Sequence, residues 1–166
     1  MRGSSCYRPF AFLARIAHRT ATHYTGGMTR IDFHSNVPQK IAYVCRLVRK
    51  ARASGANLVL RTPDRAELQQ LDQALWSFSE QDFLPHVMAG DPLAAQTPII
   101  LTANDSTDLP HHQILINLGS DTPAHFARFE RLLEIISADD ADKAAGRDRY
   151  RFYKERGYPL SHHVAA

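Results

Sequence analysis

Five side chains near the carboxyl end of the sequence have types suited to binding a ligand that carries carboxylates: Lys143, Arg147, Tyr150, Arg151 and Lys154. At 100° per residue on a helix, they share a stripe about 100° wide. Guanidinium groups fork onto carboxylates, and a tyrosine ring covers an apolar side chain. The stripe is typical either of a solvated helix face or of a surface for an acidic helix, a phosphate backbone or an acidic peptide.

The surroundings of this stripe favour the acidic peptide among these ligands. Residues 141–157 carry six bases and three acids. Ala145 and Phe152 are predicted to face the core on the opposite side of the helix. Gly157 then ends the helix, and Pro159 follows in a turn with apolar residues beside it. A peptide that bears both acids and an apolar group would satisfy these side chains together.

A second cluster of large apolar side chains lies in LDQALWSFSEQDFLPHVMAG, residues 71–90. Trp76 follows Leu75, and a rotation of 100° places it at the edge of the buried stripe of a predicted helix. Phe83 and Pro85 follow in a stretch too short to bury every apolar group. Phe83 either packs in the core or belongs to a partly exposed aromatic patch, which would mark a protein partner.

The sequence offers no pattern that supports catalysis or a bound cofactor. The turns HSNVPQK and RTPDRAEL follow the first two predicted strands and contain no glycine, so neither matches a Walker loop or a dinucleotide fingerprint. The acids are scattered, apart from Asp139, Asp140 and Asp142. That group lies at a predicted helix start, where the helix dipole accounts for it. We therefore predict no catalytic residue and no cofactor.

Nine histidines raise the question of a metal site. The pairs His111-His112 and His162-His163 would point to opposite sides of an extended chain, and no cysteine lies nearby. Exposed loop or tail histidines are the better interpretation, so we predict no metal site. Cys45 lies on the apolar stripe of the first predicted helix and is interpreted as a small core residue. The two cysteines have no ligand-like spacing, which fits a reducing cytosol.

Positive charge is concentrated in the first 27 residues, which carry +4 and no acid. This leaves −1 of the total +3 for residues 28–166. A nearly neutral domain has no overall field that would draw it onto nucleic acid, so charged ligands must bind at a local patch.

Residues 1–27 themselves have three possible interpretations. Arg15 interrupts the apolar run PFAFLARIA, which argues against a secretory signal. The composition fits an organellar transit peptide better, but we prefer an upstream extension from a misassigned start, with Met28 as the initiator. The predicted fold begins at Thr29, and nothing before it has a partner element. We predict that residues 1–27 are disordered or dispensable and that residues 28–166 form one domain.

Strands alternate with helices along residues 28–166, and no apolar run is long enough to cross a membrane. Strands are predicted at residues 30–34, 57–61, 98–101 and 114–118. Four helices are predicted, at about 38–53, from 64 onward, from Pro123 onward and at 141–156. In the third of them the residues that face the core are Phe126, Phe129, Leu133 and Ile136. This alternation predicts an α/β domain with a mainly parallel sheet covered by helices on both faces.

Two motifs resemble the chi subunit of bacterial DNA polymerase III. They are LDxALWxxxxxxFxPHxxAG at residues 71–90 and the looser, basic RxRYRxYKxxGY at residues 147–158. With the order of the elements between them, the similarity covers about residues 28–160, and family members lack the first 27 residues. The resemblance implies a single Rossmann-like domain with no nucleotide-binding loop. It also implies a non-catalytic accessory role in DNA replication, in the cytoplasm.

The same resemblance implies two partner surfaces. The psi subunit, which tethers chi to the clamp loader, would bind at or near Trp76, Phe83, Pro85 and His86. The acidic C-terminal tail of single-stranded-DNA-binding protein would bind at Lys143, Arg147, Tyr150, Arg151 and Gly157. Arg151 stands where lysine is common in the family, which keeps the charge but alters the geometry.

The competing class is a direct single-stranded nucleic-acid-binding domain, or an enzyme, on a nucleotide-fold scaffold. The missing glycine loop argues against the enzyme. A direct binder needs aromatic residues spaced for base stacking along a basic groove. This chain has one basic helix and a nearly neutral remainder, so the adaptor is the preferred interpretation.

Overall fold

The computed structural model describes residues 27–105 and 108–165, and in these residues seven strands and three α-helices form one sheet with helices on both faces. The elements are β1 (Arg30–Val37), α1 (Lys40–Ala53), β2 (Leu58–Arg61), α2 (Arg65–Ser77), β3 (His86–Met88), β4 (Ile99–Thr102), β5 (Ile114–Asn117), β6 (Arg131–Ser137), α3 (Asp140–Glu155) and β7 (Leu160–Val164). The strand order is β3-β4-β2-β5-β6-β1-β7, and every pair is parallel. The predicted α/β, Rossmann-like class is confirmed. The predicted extension lies, up to residue 26, outside the described residues.

The helices divide the core between the two faces of the sheet. Leu58 and Leu60 of β2 pack with α1 and α2, whereas Val59 belongs to the core on the side of α3. Cys45 is fully buried in the first of these cores, and burial raises the pKa of its thiol to about 11. The prediction that Cys45 is a core residue is confirmed. No helix in the described ranges is both long and apolar enough to cross a membrane.

The prediction of a helix that begins at Pro123 is wrong. Phe126–Arg128 form one 3-10 turn, and Arg131–Ser137 form β6, which lies between β5 and β1. A strand inside a parallel sheet is covered on both faces and needs apolar residues on both, so its pattern overlaps with helical spacing. The polar Glu134 resembles the solvent side of a helix in the sequence but is fully buried.

Both edges of the sheet are strands that the sequence does not predict. β3 has three residues and pairs with β4, and β7 pairs with β1. β7 has the sequence LSHHV and is mostly exposed, so it lacks the apolar run of an internal strand. Its position depends on pairing with β1. The Ala165 N–H continues this pairing beyond the strand by donating to the Ser35 carbonyl at 2.9 Å.

A buried ion pair connects α3 to the sheet. The Arg149 Nε–H donates to Glu134 Oε2 at 3.0 Å, and both side chains are almost fully buried. The Tyr153 hydroxyl donates to Glu134 Oε1 at 2.7 Å, and the Asn117 amide donates to Oε2 at 3.0 Å. One carboxylate therefore accepts hydrogen bonds from α3 and from β5.

The side of α3 that faces the sheet differs from the predicted one. Ala145 and Phe152 are half-buried, whereas the fully buried positions are Gly146, Arg149 and Tyr153. The side of α3 that carries Arg149 and Tyr153 faces Glu134, because the Glu134 carboxylate accepts hydrogen bonds from both side chains. Without these bonds, burying two polar side chains would be unfavourable.

Candidate functional site

A cleft of about 340 Å³ opens between α3 and the β1–β7 edge of the sheet. Its lining residues, called here the basic cleft, are Phe33, Ser35, Asn36, Ile136, Lys143, Gly146, Arg147, Tyr150 and His162. The helix supplies both cations, and the strands supply the floor and the opposite wall.

The floor of the basic cleft is apolar, and a glycine brings the helix close to it. Phe33 packs edge-on against Tyr150, with ring centroids 5.2 Å apart. A Cβ at Gly146 would lie 2.4 Å from Ile136 Cδ1, so only glycine lets α3 lie this close to β6 without a shift of that side chain. An apolar ligand group can therefore contact Phe33 and Ile136 while its polar groups reach the rim.

A bulge in β1 shapes the strand side of the basic cleft. Between His34 and Val37 the register against β6 shifts, so that Ser35 and Asn36 together stand opposite Ile136. Asn36 has a φ of 59°, in the left-handed region that asparagine tolerates better than most residues. Bulges of this kind re-aim side chains and are frequent beside functional sites.

The two cations at the rim of the basic cleft have no acidic partner in the part of the chain that the structure describes. Neither Lys143 nor Arg147 forms an ion pair within residues 27–105 and 108–165. Arg147 is exposed and Lys143 is half-buried. Two unneutralised cations beside an apolar floor create a local positive field that suits a ligand with carboxylates.

Three of the five residues predicted to bind the peptide line the basic cleft, and two do not. Lys143, Arg147 and Tyr150 are brought together there. Arg151 lies one turn further along α3, with an exposed side chain 3.8 Å from Asp148. Gly157 follows the end of α3 with a φ of 77° and ends the helix rather than lining the cleft. Sequence reasoning missed the other lining residues, which are Phe33, Ser35 and Asn36 of β1, Ile136 of β6, Gly146 of α3 and His162 of β7.

A second cleft, of about 520 Å³, lies at the carboxyl ends of the strands. β1 and β6 are neighbours in the sheet, and the chain leaves them in opposite directions, through α1 and α3. Open α/β sheets commonly bind ligands at such a topological switch point. Its lysine, Lys40, is already held by Asp142 at 2.7 Å and by the Leu118 carbonyl at 3.0 Å. This cleft therefore offers an anion less free charge than Lys143 and Arg147 do.

Trp76 and Phe83 form an exposed aromatic patch beside edge strand β3. Their ring centroids are 5.7 Å apart, and the residues are 58% and 71% exposed. Of the two interpretations of Phe83, the exposed one is confirmed and core packing is wrong. Its role toward a partner stays a prediction.

His86 supports the aromatic patch from beneath. It is buried, with Nε2 2.9 Å from the Asp72 carboxylate and Nδ1 2.7 Å from the Leu84 carbonyl oxygen. Its ring centroid lies 4.8 Å from that of Trp76. Pro85 is half-buried. His86 therefore positions the indole and offers little contact surface of its own.

The histidine pairs do not assemble into a metal site in the part of the chain that the structure describes, where no group of three or more potential ligands occurs. His112, His162 and His163 are exposed, as predicted, but His162 and His163 belong to strand β7 and not to a loop or tail. For His111 the expectation of exposure is wrong. It is buried, and its Nε2 lies 2.6 Å from the Thr97 carbonyl oxygen, which satisfies the ring in the interior.

Known proteins resemble this chain over nearly the whole described fold. Residues 28–161 match the family described as DNA polymerase III chi subunit, HolC. DNA polymerase III subunit chi of Pseudomonas aeruginosa is 35% identical over 140 residues, which are 82% of this chain and 96% of the relative. The subunit of the same name from Escherichia coli is 26% identical over 133 residues, or 80% and 88% of the two chains. The aromatic patch lies within the matched region, as does the basic cleft apart from His162, and the chain belongs to the DNA polymerase III chi subunit family.

Proposed function

We propose that this chain bridges the clamp loader to single-stranded-DNA-binding protein within the DNA polymerase III holoenzyme, in the cytoplasm. The psi subunit binds at the aromatic patch, and the acidic C-terminal tail of single-stranded-DNA-binding protein binds in the basic cleft. The observation that carries the proposal is that two cations above an apolar floor, Lys143 and Arg147, form no ion pair with any residue that the structure describes. The chain itself is a non-catalytic accessory subunit, and polymerase activity belongs to the assembly.

An acidic peptide that ends in an apolar residue matches the basic cleft in two ways. Its last side chain fits against Phe33 and Ile136, with the Tyr150 ring beside it. Its terminal carboxylate and the preceding acids fall within reach of Lys143 and Arg147 at the rim. Charge-assisted hydrogen bonds to carboxylates are about twice as strong as neutral ones, and the apolar contact fixes the direction of the peptide.

The two proposed surfaces are arranged for simultaneous use. The aromatic patch lies by β3 and the basic cleft by β7, which are the opposite edges of the sheet. Their helices, α2 and α3, also cover opposite faces. A protein bound at one surface therefore leaves the other accessible, as a bridge requires.

Two calorimetric titrations of the full chain test the proposal for the basic cleft. An acidic peptide that ends in Pro-Phe is expected to bind at one site, more weakly as salt rises, because exposed charges are screened over about 8–10 Å. One extra residue after the phenylalanine should weaken binding, since it moves the carboxylate away from the cations. A bare single-stranded oligonucleotide is the comparison. Tighter binding of the oligonucleotide than of the peptide would support the direct nucleic-acid binder instead.

Phe83→Ala tests the aromatic patch. We expect it to weaken binding of the psi subunit about thirtyfold, since truncating an aromatic hot spot costs about 2 kcal/mol. The free energy of unfolding should hardly change, because Phe83 is mostly exposed. Binding is measured by calorimetry and stability by urea unfolding.

Two variants serve as controls for Phe83→Ala. Phe126→Ala removes a buried ring and should lower the free energy of unfolding by about 3–5 kcal/mol. Val164→Ala trims an exposed apolar side chain at the opposite edge and should leave psi binding unchanged. Unchanged psi binding in Phe83→Ala would remove the aromatic patch from the interface.

A further inference from the structure

We propose that His162, in the strand-side wall of the basic cleft, contacts the acidic ligand and takes up a proton when that ligand binds, so that affinity rises as pH falls from 8 to 6. The inference rests on the proposed function of the basic cleft. It adds a residue from β7 to the site and a dependence of binding on pH.

The pairing of β7 with β1 places His162 in the basic cleft. His162 stands opposite Phe33, whose side chain forms the floor. The His162 Nε2 lies 2.7 Å from Ser35 Oγ, and this hydrogen bond holds the ring at the wall. Because side chains alternate along a strand, His163 lies on the other face of the sheet. Its ring packs against His34, with centroids 5.0 Å apart.

The charged side chains that line the basic cleft beside His162 are cationic. Lys143 and Arg147 line it from α3, together with Tyr150, and none of the described residues that line the basic cleft is an acid. The carboxylates of a bound ligand favour a positive charge on the imidazole beside them. Binding and protonation therefore promote each other.

The other titratable groups near β7 do not account for a response between pH 6 and pH 8. Burial, followed by the neighbouring His163, lowers the pKa of His34 to about 4, so that ring stays neutral in this range. Asp32 is held by Ser161 and Arg131, and these bonds outweigh burial and keep the pKa of the Asp32 carboxyl below its usual range. His163 remains as the group to separate from His162, and it can be tested by substitution.

The sign of the effect follows from the charge of imidazole. Histidine changes its charge between pH 5 and pH 8, whereas lysine, arginine and the carboxylates of the peptide keep theirs. Protonated His162 donates from both ring nitrogens, and so offers the ligand a cationic donor opposite α3 while one nitrogen stays bonded to Ser35. We expect affinity to rise about three- to tenfold from pH 8 to pH 6.

The test is calorimetric titration of the full chain with the acidic peptide at pH 6 and pH 8. At pH 7 it is repeated in two buffers of different ionisation enthalpy, which counts the protons taken up. His162→Gln should lose both the pH dependence and the proton uptake. His162→Lys should bind with similar affinity at both pH values, because its charge is permanent. His163→Gln is the matched control, with the same residue type on the other face, and should behave like the wild type.

The outcomes distinguish a failure of this inference from a failure of the proposed function. A His162→Gln variant that keeps the pH dependence of the wild type, or a His163→Gln variant that loses it, would overturn the inference. Peptide binding by the wild type that does not change between pH 6 and pH 8 would also overturn it, while the proposed function would stand. A wild-type chain that does not bind the peptide at either pH would refute both.

Discussion

Arg147→Ala is expected to weaken binding of the acidic peptide by about ten- to a hundredfold and to leave the free energy of unfolding nearly unchanged. A hydrogen bond to a charged group contributes about 1.5–3 kcal/mol, and each 1.4 kcal/mol is a factor of ten in affinity. Arg147 lines the basic cleft, is exposed and pairs with no acid in the described ranges. Its loss would therefore remove the proposed ligand contact without breaking an ion pair of the described fold. Calorimetry at two salt concentrations and urea unfolding measure the two effects.

Arg151→Ala is the matched control for this substitution. Arg151 lies on the same helix and is similarly exposed, but it lies outside the basic cleft and beside Asp148. We expect its loss to change affinity only slightly, through the weakened overall field, and to change stability by less than 1 kcal/mol. If the wild type and Arg147→Ala bound the peptide equally well, the basic stripe would be only a solvated helix face.

Arg149→Ala is expected to have a large effect on stability, lowering the free energy of unfolding by about 3–5 kcal/mol. Removing one partner of a buried ion pair leaves the other charge uncompensated, and here Glu134 would stay buried between α3 and β5. Urea unfolding measures the loss. Arg151→Ala again serves as the control, because it removes the same side chain from an exposed position on the same helix.

A double variant separates the buried charge from the packing of Arg149. Glu134→Gln combined with Arg149→Met removes both charges and keeps much of the side-chain volume. It should lose less stability than Arg149→Ala alone, since replacing a whole buried pair is often nearly neutral. An Arg149→Ala loss as small as that of Arg151→Ala would mean that Glu134 finds other compensation.

The parts of the fold that the sequence predicts are those with a strong local signal. β2, β4 and β5 are short apolar runs, and α1, α2 and α3 carry helical periodicity. β6 escapes prediction because Glu134 interrupts its apolar run, and its partners Arg149 and Tyr153 lie 15 and 19 residues further along the chain. β7 escapes prediction because it is an exposed, polar edge strand without an apolar run, and its strand conformation depends on pairing with β1.

The candidate site also has a part that local sequence patterns predict and a part that they do not. Lys143, Arg147 and Tyr150 share one helix, so their spacing alone predicts that they lie together. Phe33 and His162 are far apart in the sequence and meet only because β1 and β7 pair. Arg149 counts among the bases of the helix in the sequence, yet it is buried. No local pattern separates a cation that binds a ligand from one that supports the fold.

The placement of β3 and β7 at opposite edges has a kinetic consequence for the proposed bridge. Strands in a sheet lie about 4.8 Å apart, so seven strands hold the two edges roughly 29 Å from each other. A subunit anchored at one edge is thus a short, rigid spacer, which keeps the second surface close to the assembly. Linking two binding sites over a short distance raises the effective concentration of the second partner. In the proposed bridge, a cleft with modest intrinsic affinity would then be occupied most of the time, while each single contact would break quickly.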